Sequence, residues 1–159
     1  MKIVSGGQTG VDRGALDAAV ALGLAHGGWC PRGRLAEDGP IPERYQLVQT
    51  ESAEYSVRTE QNVLDSDATL ILYRGRLSGG TKLTLRLARR HGRPCKAIDL
   101  DAPCPIEEVR QWLQSEQVEI LNVAGPRESN HPGIAARAAE FLTRLLGPPF
   151  QEHQKADLA

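Results

Sequence analysis

The chain has few of the features that mark secreted, membrane-bound or nucleic-acid-binding proteins. Its three cysteines are an odd number and form no C-x-x-C pair, which argues against a disulfide framework. A net charge of −1 provides no broad attraction to nucleic acid or to an anionic membrane surface. No apolar run approaches the roughly 20 residues that span a bilayer, and no apolar leader precedes the first predicted strand. We therefore expect a cytoplasmic protein that binds neither nucleic acid nor membrane.

Motifs for metal binding and for nucleophilic catalysis are also missing. No H-x-x-x-H or comparable spacing predicts a metal site, and no motif places a histidine beside Cys95 or Cys104. The glycine turn after the first predicted strand lacks the Gly-Lys-Ser/Thr end of a P-loop, because Val11 follows Gly10. ATP hydrolysis of the P-loop kind is therefore not expected.

Strand-like and helix-like stretches alternate along the 159 residues. We predict strands at residues 2–5, 68–73, 95–100 and 118–123, with short ones near 28–30 and 47–48. We predict helices at residues 10–23, 55–65, 81–91, 105–115 and 132–146. This alternation predicts a single α/β domain, a Rossmann-like three-layer sandwich with a mainly parallel sheet of at least five strands. The domain is expected to cover residues 1–147, with an irregular polar loop at 31–45 and a flexible tail at 148–159.

Three glycine-bearing turns lie where predicted strands lead into predicted helices, at residues 5–10, 78–82 and 124–131. Glycine allows the backbone to approach a ligand closely, and the free N–H groups at a helix start favour negative charge. The turns therefore predict a site for a phosphorylated small molecule, such as a nucleotide. The candidate ligand-binding residues are Gly6, Gly7, Gln8, Thr9, Gly10, Asp12, Arg13, Ser78, Gly79, Gly80, Thr81, Lys82, Thr84, Gly125, Arg127, Glu128 and Ser129.

The parallel sheet gives these turns a testable geometry, because the carboxyl ends of its strands share one edge. We expect Gly7, Gly80 and Gly125 to line one pocket, with the helix starts near Thr9, Thr81 and Pro132 pointing into it. A bound sulfate or phosphate is expected against residues 7–10, within reach of Arg127 or Lys82.

Each of these features also has an ordinary structural interpretation. Thr9 and Ser129 are suitable helix caps, and Asp12 in a first helical turn stabilises the helix dipole without any ligand. Lys82 on a helix surface commonly projects into water. The polar cluster at residues 58–62 is equally compatible with a solvent-facing helical stripe.

Four stretches, Ser5–Asp17, Arg58–Leu72, Ser78–Thr84 and Leu121–Ser129, resemble the putative molybdenum carrier family. That family is a circularly permuted, YpsA-like branch of the SLOG superfamily of Rossmann-like nucleotide-binding domains. The resemblance implies a binding or carrier protein for a nucleotide or the molybdenum cofactor, and it leaves a homo-oligomer open.

The resemblance also implies an alternative from another class, a nucleotide-processing hydrolase that cleaves the N-glycosidic bond. Glu60 or Asp12 would then be the catalytic or ribose-binding residue. Such hydrolases carry a P-G-G-x-G-T-x-x-E motif. Residues 78–84 lack its proline, its third glycine and its catalytic glutamate, which argues against this reaction.

Overall fold

A five-stranded parallel sheet forms the centre of the computed structural model, which describes residues 1–103, 105–148 and 150. Its strands are β1 (Lys2–Val4), β2 (Ala25–Gly27), β7 (Ala68–Tyr73), β8 (Cys95–Asp99) and β9 (Ile120–Ala124), in the order β2-β1-β9-β7-β8. Two short pairs lie between β2 and β7 in the chain. They are the parallel pair β3 (Trp29–Cys30) and β6 (Val48–Gln49) and the antiparallel hairpin β4 (Leu35–Ala36) and β5 (Gly39–Pro40).

Within the described residues, five helices flank the sheet: α1 (Val11–Ala21), α2 (Tyr55–Leu64), α3 (Gly79–Arg90), α4 (Ile106–Ser115) and α5 (Ile134–Leu146). Helices α1, α4 and α5 cover one face through a large apolar core that includes Ala15, Val109 and Phe141. On the other face, Val63 of α2 and Leu87 of α3 form a smaller cluster with Cys95 of β8. The first five residues of β7 are all buried, as expected of a strand that is covered on both faces.

The strand order brings three loops to one place. The chain leaves β1 towards the β2 edge and leaves β7 towards the β8 edge, and β9 is inserted between β1 and β7. The carboxyl ends of β1, β9 and β7 are therefore neighbours, and a crevice forms where the connections diverge. The predicted parallel α/β sandwich is confirmed, and its topology places the three glycine turns side by side.

Three parts of the chain differ from the sequence-based expectation. The segment 31–45, predicted to be irregular, contains the β4–β5 hairpin. Strand β2 was not predicted because its three residues, Ala25, His26 and Gly27, include no β-branched side chain. Phe150, placed in the predicted tail, is 4% exposed and belongs to the large core. The other residues of that tail beyond 148, and Cys104, lie outside the described residues. Within the described parts of the chain, no helix is long and apolar enough to cross a membrane.

Candidate functional site

A cleft lies at the carboxyl ends of β1, β9 and β7. Its empty space, together with the solvent at its opening, is about 770 Å³. All three glycine turns contribute to its walls. Ten of the predicted ligand-binding residues line it: Gly6, Gln8, Asp12, Ser78, Gly79, Gly80, Thr81, Thr84, Gly125 and Arg127. Seven do not: Gly7, Thr9, Gly10, Arg13, Lys82, Glu128 and Ser129. The turns therefore converge, but not every predicted residue points to the same space.

The first turn is already occupied by groups of the chain itself. The Gln8 N–H donates to Oδ2 of Asp12 at 3.2 Å, and the Thr9 N–H donates to Oε1 of Gln8 at 3.0 Å. The first amide of α1, that of Val11, donates to the Pro126 carbonyl at 3.1 Å. The Gln8 N–H of this turn therefore already holds an anion, the Asp12 carboxylate.

Asp12 is paired with Arg58 of α2 in the floor of the cleft. Oδ2 of Asp12 lies 3.5 Å from Nη1 of Arg58, and the two side chains are 8% and 10% exposed. The same Nη1 donates to the Gly6 carbonyl at 2.6 Å. Burial raises the pKa of Asp12, while the Arg58 charge and the Gln8 amide act against the rise. This pair ties α2 to the first turn, which is a structural role.

The start of α5 is occupied in a similar way. Oε2 of Glu128 accepts a hydrogen bond from the Ala135 N–H at 3.0 Å, and Oε1 accepts one from the Gly133 N–H. A carboxylate at a helix start satisfies unpaired N–H groups and complements the helix dipole. Glu128 therefore caps α5, which begins at Ile134 and not at Pro132, and this helix start does not point into the cleft.

The start of α3 is different, because within the described residues no protein group accepts a hydrogen bond from the N–H of Gly79, Gly80 or Thr81. Gly79, Gly80 and Thr81 form its first turn and line the cleft, and the first backbone bond of the helix runs from the Lys82 N–H to the Ser78 carbonyl at 3.2 Å. A Cβ added at Gly79 or Gly80 would meet no atom within 4 Å. Among the described residues, this is the one predicted helix start that faces the cleft without a protein group on it.

A second unsatisfied donor lies on the opposite wall. The Gln8 side chain lines the cleft and is 5% exposed, and its Nε2 is the one buried side-chain nitrogen or oxygen in the described part of the chain without a hydrogen-bond partner. Buried polar groups are normally hydrogen-bonded. Gln8 and the first turn of α3 therefore both lie at the cleft with donors that no protein group satisfies.

Tyr55 and two arginines form the remaining polar wall. The guanidinium carbons of Arg58 and Arg127 lie 5.5 and 5.6 Å from the centre of the Tyr55 ring, within the range of cation–π contact. Sequence analysis did not identify Tyr55, since no motif marks it. It left residues 58–62 open between a functional cluster and a solvent-facing stripe, and the structure shows that Arg58 and Asn62 are buried. Their i, i+4 spacing on one helical face was the available signal.

The remaining predicted residues near the cleft hold the tip of the β4–β5 hairpin. Arg13 binds the Asp38 carboxylate, with Nη2 donating to Oδ1 at 2.7 Å. Thr9 and Ser129 donate to the Glu37 carboxylate. These three residues therefore contact the hairpin from outside the cleft.

Two further candidates are placed away from the cleft. Lys82 is exposed and does not line the cleft, so its side chain is not the predicted phosphate partner. Glu60 lies 2.7 Å from Nε2 of His91 and is also outside the cleft. Glu60 is therefore badly placed for the catalytic role that the hydrolase alternative required.

With this geometry in hand, comparison with known proteins identifies the family. The model of the circularly permutated YpsA SLOG family matches residues 3–146. This chain belongs to that family. A crystal structure of a putative molybdenum carrier protein from Syntrophus aciditrophicus SB is similar to this fold, with a TM-score of 0.87. The two sequences are 47% identical, and the match covers 92% of this chain and 94% of that one. No match was found among the curated proteins.

Proposed function

We propose that this SLOG-family protein binds a phosphorylated heterocycle, either a nucleotide or the molybdenum cofactor, in the cleft and acts as a binding or carrier protein. The observation that carries the proposal is the uncapped start of α3, which faces the cleft between two glycine turns. At the corresponding starts of α1 and α5, the Val11 and Ala135 N–H groups donate to groups of the chain itself.

The phosphate would bind at the first turn of α3. Gly79, Gly80 and Thr81 present backbone N–H groups there, and the absence of Cβ atoms at the two glycines leaves room for phosphate oxygens. Nε2 of Gln8 provides a further donor from the opposite wall. Arg127, which is 37% exposed, supplies a positive charge and the geometry for a bidentate contact.

The heterocycle would bind beside the aromatic wall. Tyr55 lines the cleft and is 38% exposed, and the Arg127 guanidinium provides a second flat surface for stacking. Ring and phosphate can therefore be recognised by different walls of one cleft.

The molybdenum cofactor, as cargo, would use the same two walls. Its pterin ring fits the requirement for a flat group, and its phosphate fits the donors at α3. Among the described residues, no group of three His, Cys, Asp or Glu residues lies close enough together to hold a metal ion. The proposal for the cofactor therefore rests on its ring and phosphate, together with the description of the 47% identical relative as a putative molybdenum carrier.

Identification of the bound molecule tests the proposal. Purified protein is denatured and any released small molecule is identified by mass spectrometry, and the ligand-free protein is then titrated with AMP and with molybdopterin in thermal unfolding. A ligand at a hundredfold excess over its Kd is expected to add about 2.7 kcal/mol of stability. The absence of a shift with both ligands at millimolar concentration would refute the proposal, and release of free base from AMP would indicate the hydrolase instead.

A further inference from the structure

The tip of the β4–β5 hairpin places a carboxylate inside a cluster of hydrogen-bond donors. Oε2 of Glu37 accepts a hydrogen bond from Oγ of Ser129 at 2.5 Å, and Oε1 accepts one from the Ser129 N–H at 3.2 Å and another from the Thr9 hydroxyl. Nη1 of Arg127 lies 3.8 Å from Oε2. The Glu37 side chain is only 20% exposed, although it lies at the tip of a hairpin whose strands have two residues each.

The donors and the anion come from different parts of the fold. Thr9 belongs to the turn after β1, and Ser129 and Arg127 belong to the turn after β9, so the donors are fixed by the central sheet. Two hydroxyls, a backbone N–H and a guanidinium around one point form a donor set suited to phosphate. The carboxylate that fills this set is brought by the hairpin.

The cluster adjoins the cleft. Arg127 lines the cleft on one side and contacts Glu37 on the other. Gln8 also lines the cleft, and its Oε1 accepts a hydrogen bond from the Glu37 N–H at 2.9 Å. Arg127 and Gln8 therefore each line the cleft and also contact Glu37.

We propose that the Thr9–Ser129–Arg127 cluster is a second anion subsite, which takes a further phosphate of a diphosphate-bearing ligand when the Glu37 carboxylate is displaced. The inference rests on the proposed function of the cleft and extends its ligand class to molecules with two linked phosphates. A carboxylate and a phosphate oxygen compete for the same donors because both are anionic acceptors.

The two ends of the hairpin are held in different ways. Strands β4 and β5 pair over only two residues each, so few backbone bonds hold the tip. The base is anchored, since Ile41 and Tyr45 are 2% and 1% exposed in an apolar cluster with Leu16 and Cys30. Displacement of Glu37 would also break the contact between Asp38 and Arg13, while Ile41 and Tyr45 hold the base.

Calorimetric titration with inorganic phosphate and pyrophosphate tests the inference. The variant is Glu37→Gln, and the matched control is Glu43→Gln, which removes the same charge from an exposed position on the same segment. In Glu37→Gln, removal of the competing charge is expected to tighten pyrophosphate binding by about fivefold or more, while phosphate binding changes by less than about twofold. Glu43→Gln is expected to match the wild type with both anions.

Hydrogen exchange provides a second measurement that a purely structural role of Glu37 would not alter. Pyrophosphate is expected to speed exchange in the peptide that covers residues 33–41 of the wild type, and phosphate is not. Equal pyrophosphate affinity in Glu37→Gln and Glu43→Gln, with phosphate still bound, would overturn the second subsite and leave the cleft proposal intact. Failure of all three proteins to bind either anion would overturn both.

Discussion

Replacement of Gly80 by aspartate distinguishes the effect of a side chain on the stability of α3 from its effect on ligand binding. Gly80 lies in the first turn of α3, its Cβ would meet no atom within 4 Å, and its φ lies outside the positive range that disfavours side chains. Gly80→Asp therefore introduces a carboxylate where a phosphate is proposed to bind, without a clash in the protein. The variant therefore tests the effect of a negative charge on ligand binding without a steric clash.

The change is expected to move stability and affinity in opposite directions. A carboxylate in the first turn of a helix contributes about 0.3–1 kcal/mol of stability, and the loss of glycine from a helix adds up to about 1 kcal/mol. Ligand binding is expected to lose about 2 kcal/mol or more, because charge-assisted hydrogen bonds at the helix start are replaced by repulsion. That loss corresponds to about thirtyfold in Kd.

Urea unfolding measures the stability, and calorimetric titration with AMP measures the affinity. Gly80→Asn is the matched control, since asparagine has nearly the shape of aspartate but no charge. We expect Gly80→Asn to bind AMP within about threefold of the wild type, against about thirtyfold weaker binding for Gly80→Asp. Equal AMP affinity in the two variants would refute the assignment of the phosphate to the start of α3.

Three further predictions concern stability and reactivity. Arg58→Leu is expected to cost about 3–5 kcal/mol in urea unfolding, because it leaves the buried Asp12 carboxylate without its partner; addition of Asp12→Asn should restore part of the loss, and strict additivity would contradict the pairing. Hydrogen bonds from Ser129 and Thr9 lower the pKa of Glu37 from its usual 4.5, so its contribution to stability is present above about pH 4.5 and is lost as the pH falls through the lowered value. The wild type should therefore lose its stability advantage over Glu37→Gln on acidification, and an advantage independent of pH would contradict this. Burial raises the pKa of Cys95 to about 11, so iodoacetamide at about pH 8 should label it far more slowly in the folded than in the unfolded protein, and equal rates would contradict its burial.

The sheet and the convergence of the turns could be predicted from local patterns. The run from Ala68 to Leu72 is apolar or β-branched throughout, which is typical of a strand covered on both faces. Once the sheet is parallel, the turns after its strands must emerge at one edge. The residues 5–10, 78–82 and 124–131 could therefore be assigned to one edge without knowledge of the strand order.

The assignment of individual side chains could not be predicted, because it depends on contacts between distant residues. Asp12 and Glu128 are acidic residues beside helix starts, and the sequence does not show that their carboxylates occupy N–H groups otherwise available to a ligand. The contact between Arg58 and Asp12 joins two helices across the cleft floor. The hydrogen bond from Thr9 to Glu37 could be predicted only if the position of the β4–β5 hairpin were known, and that hairpin has only two residues in each strand.

A crystal structure of the protein with AMP bound tests the central claim most directly. The phosphate is predicted to lie within hydrogen-bond distance of the N–H groups of Gly79, Gly80 and Thr81, with Nε2 of Gln8 or the Arg127 guanidinium as an additional donor. If the single phosphate of AMP instead lies against residues 7–10 or outside the cleft, and not at these N–H groups, the account is contradicted.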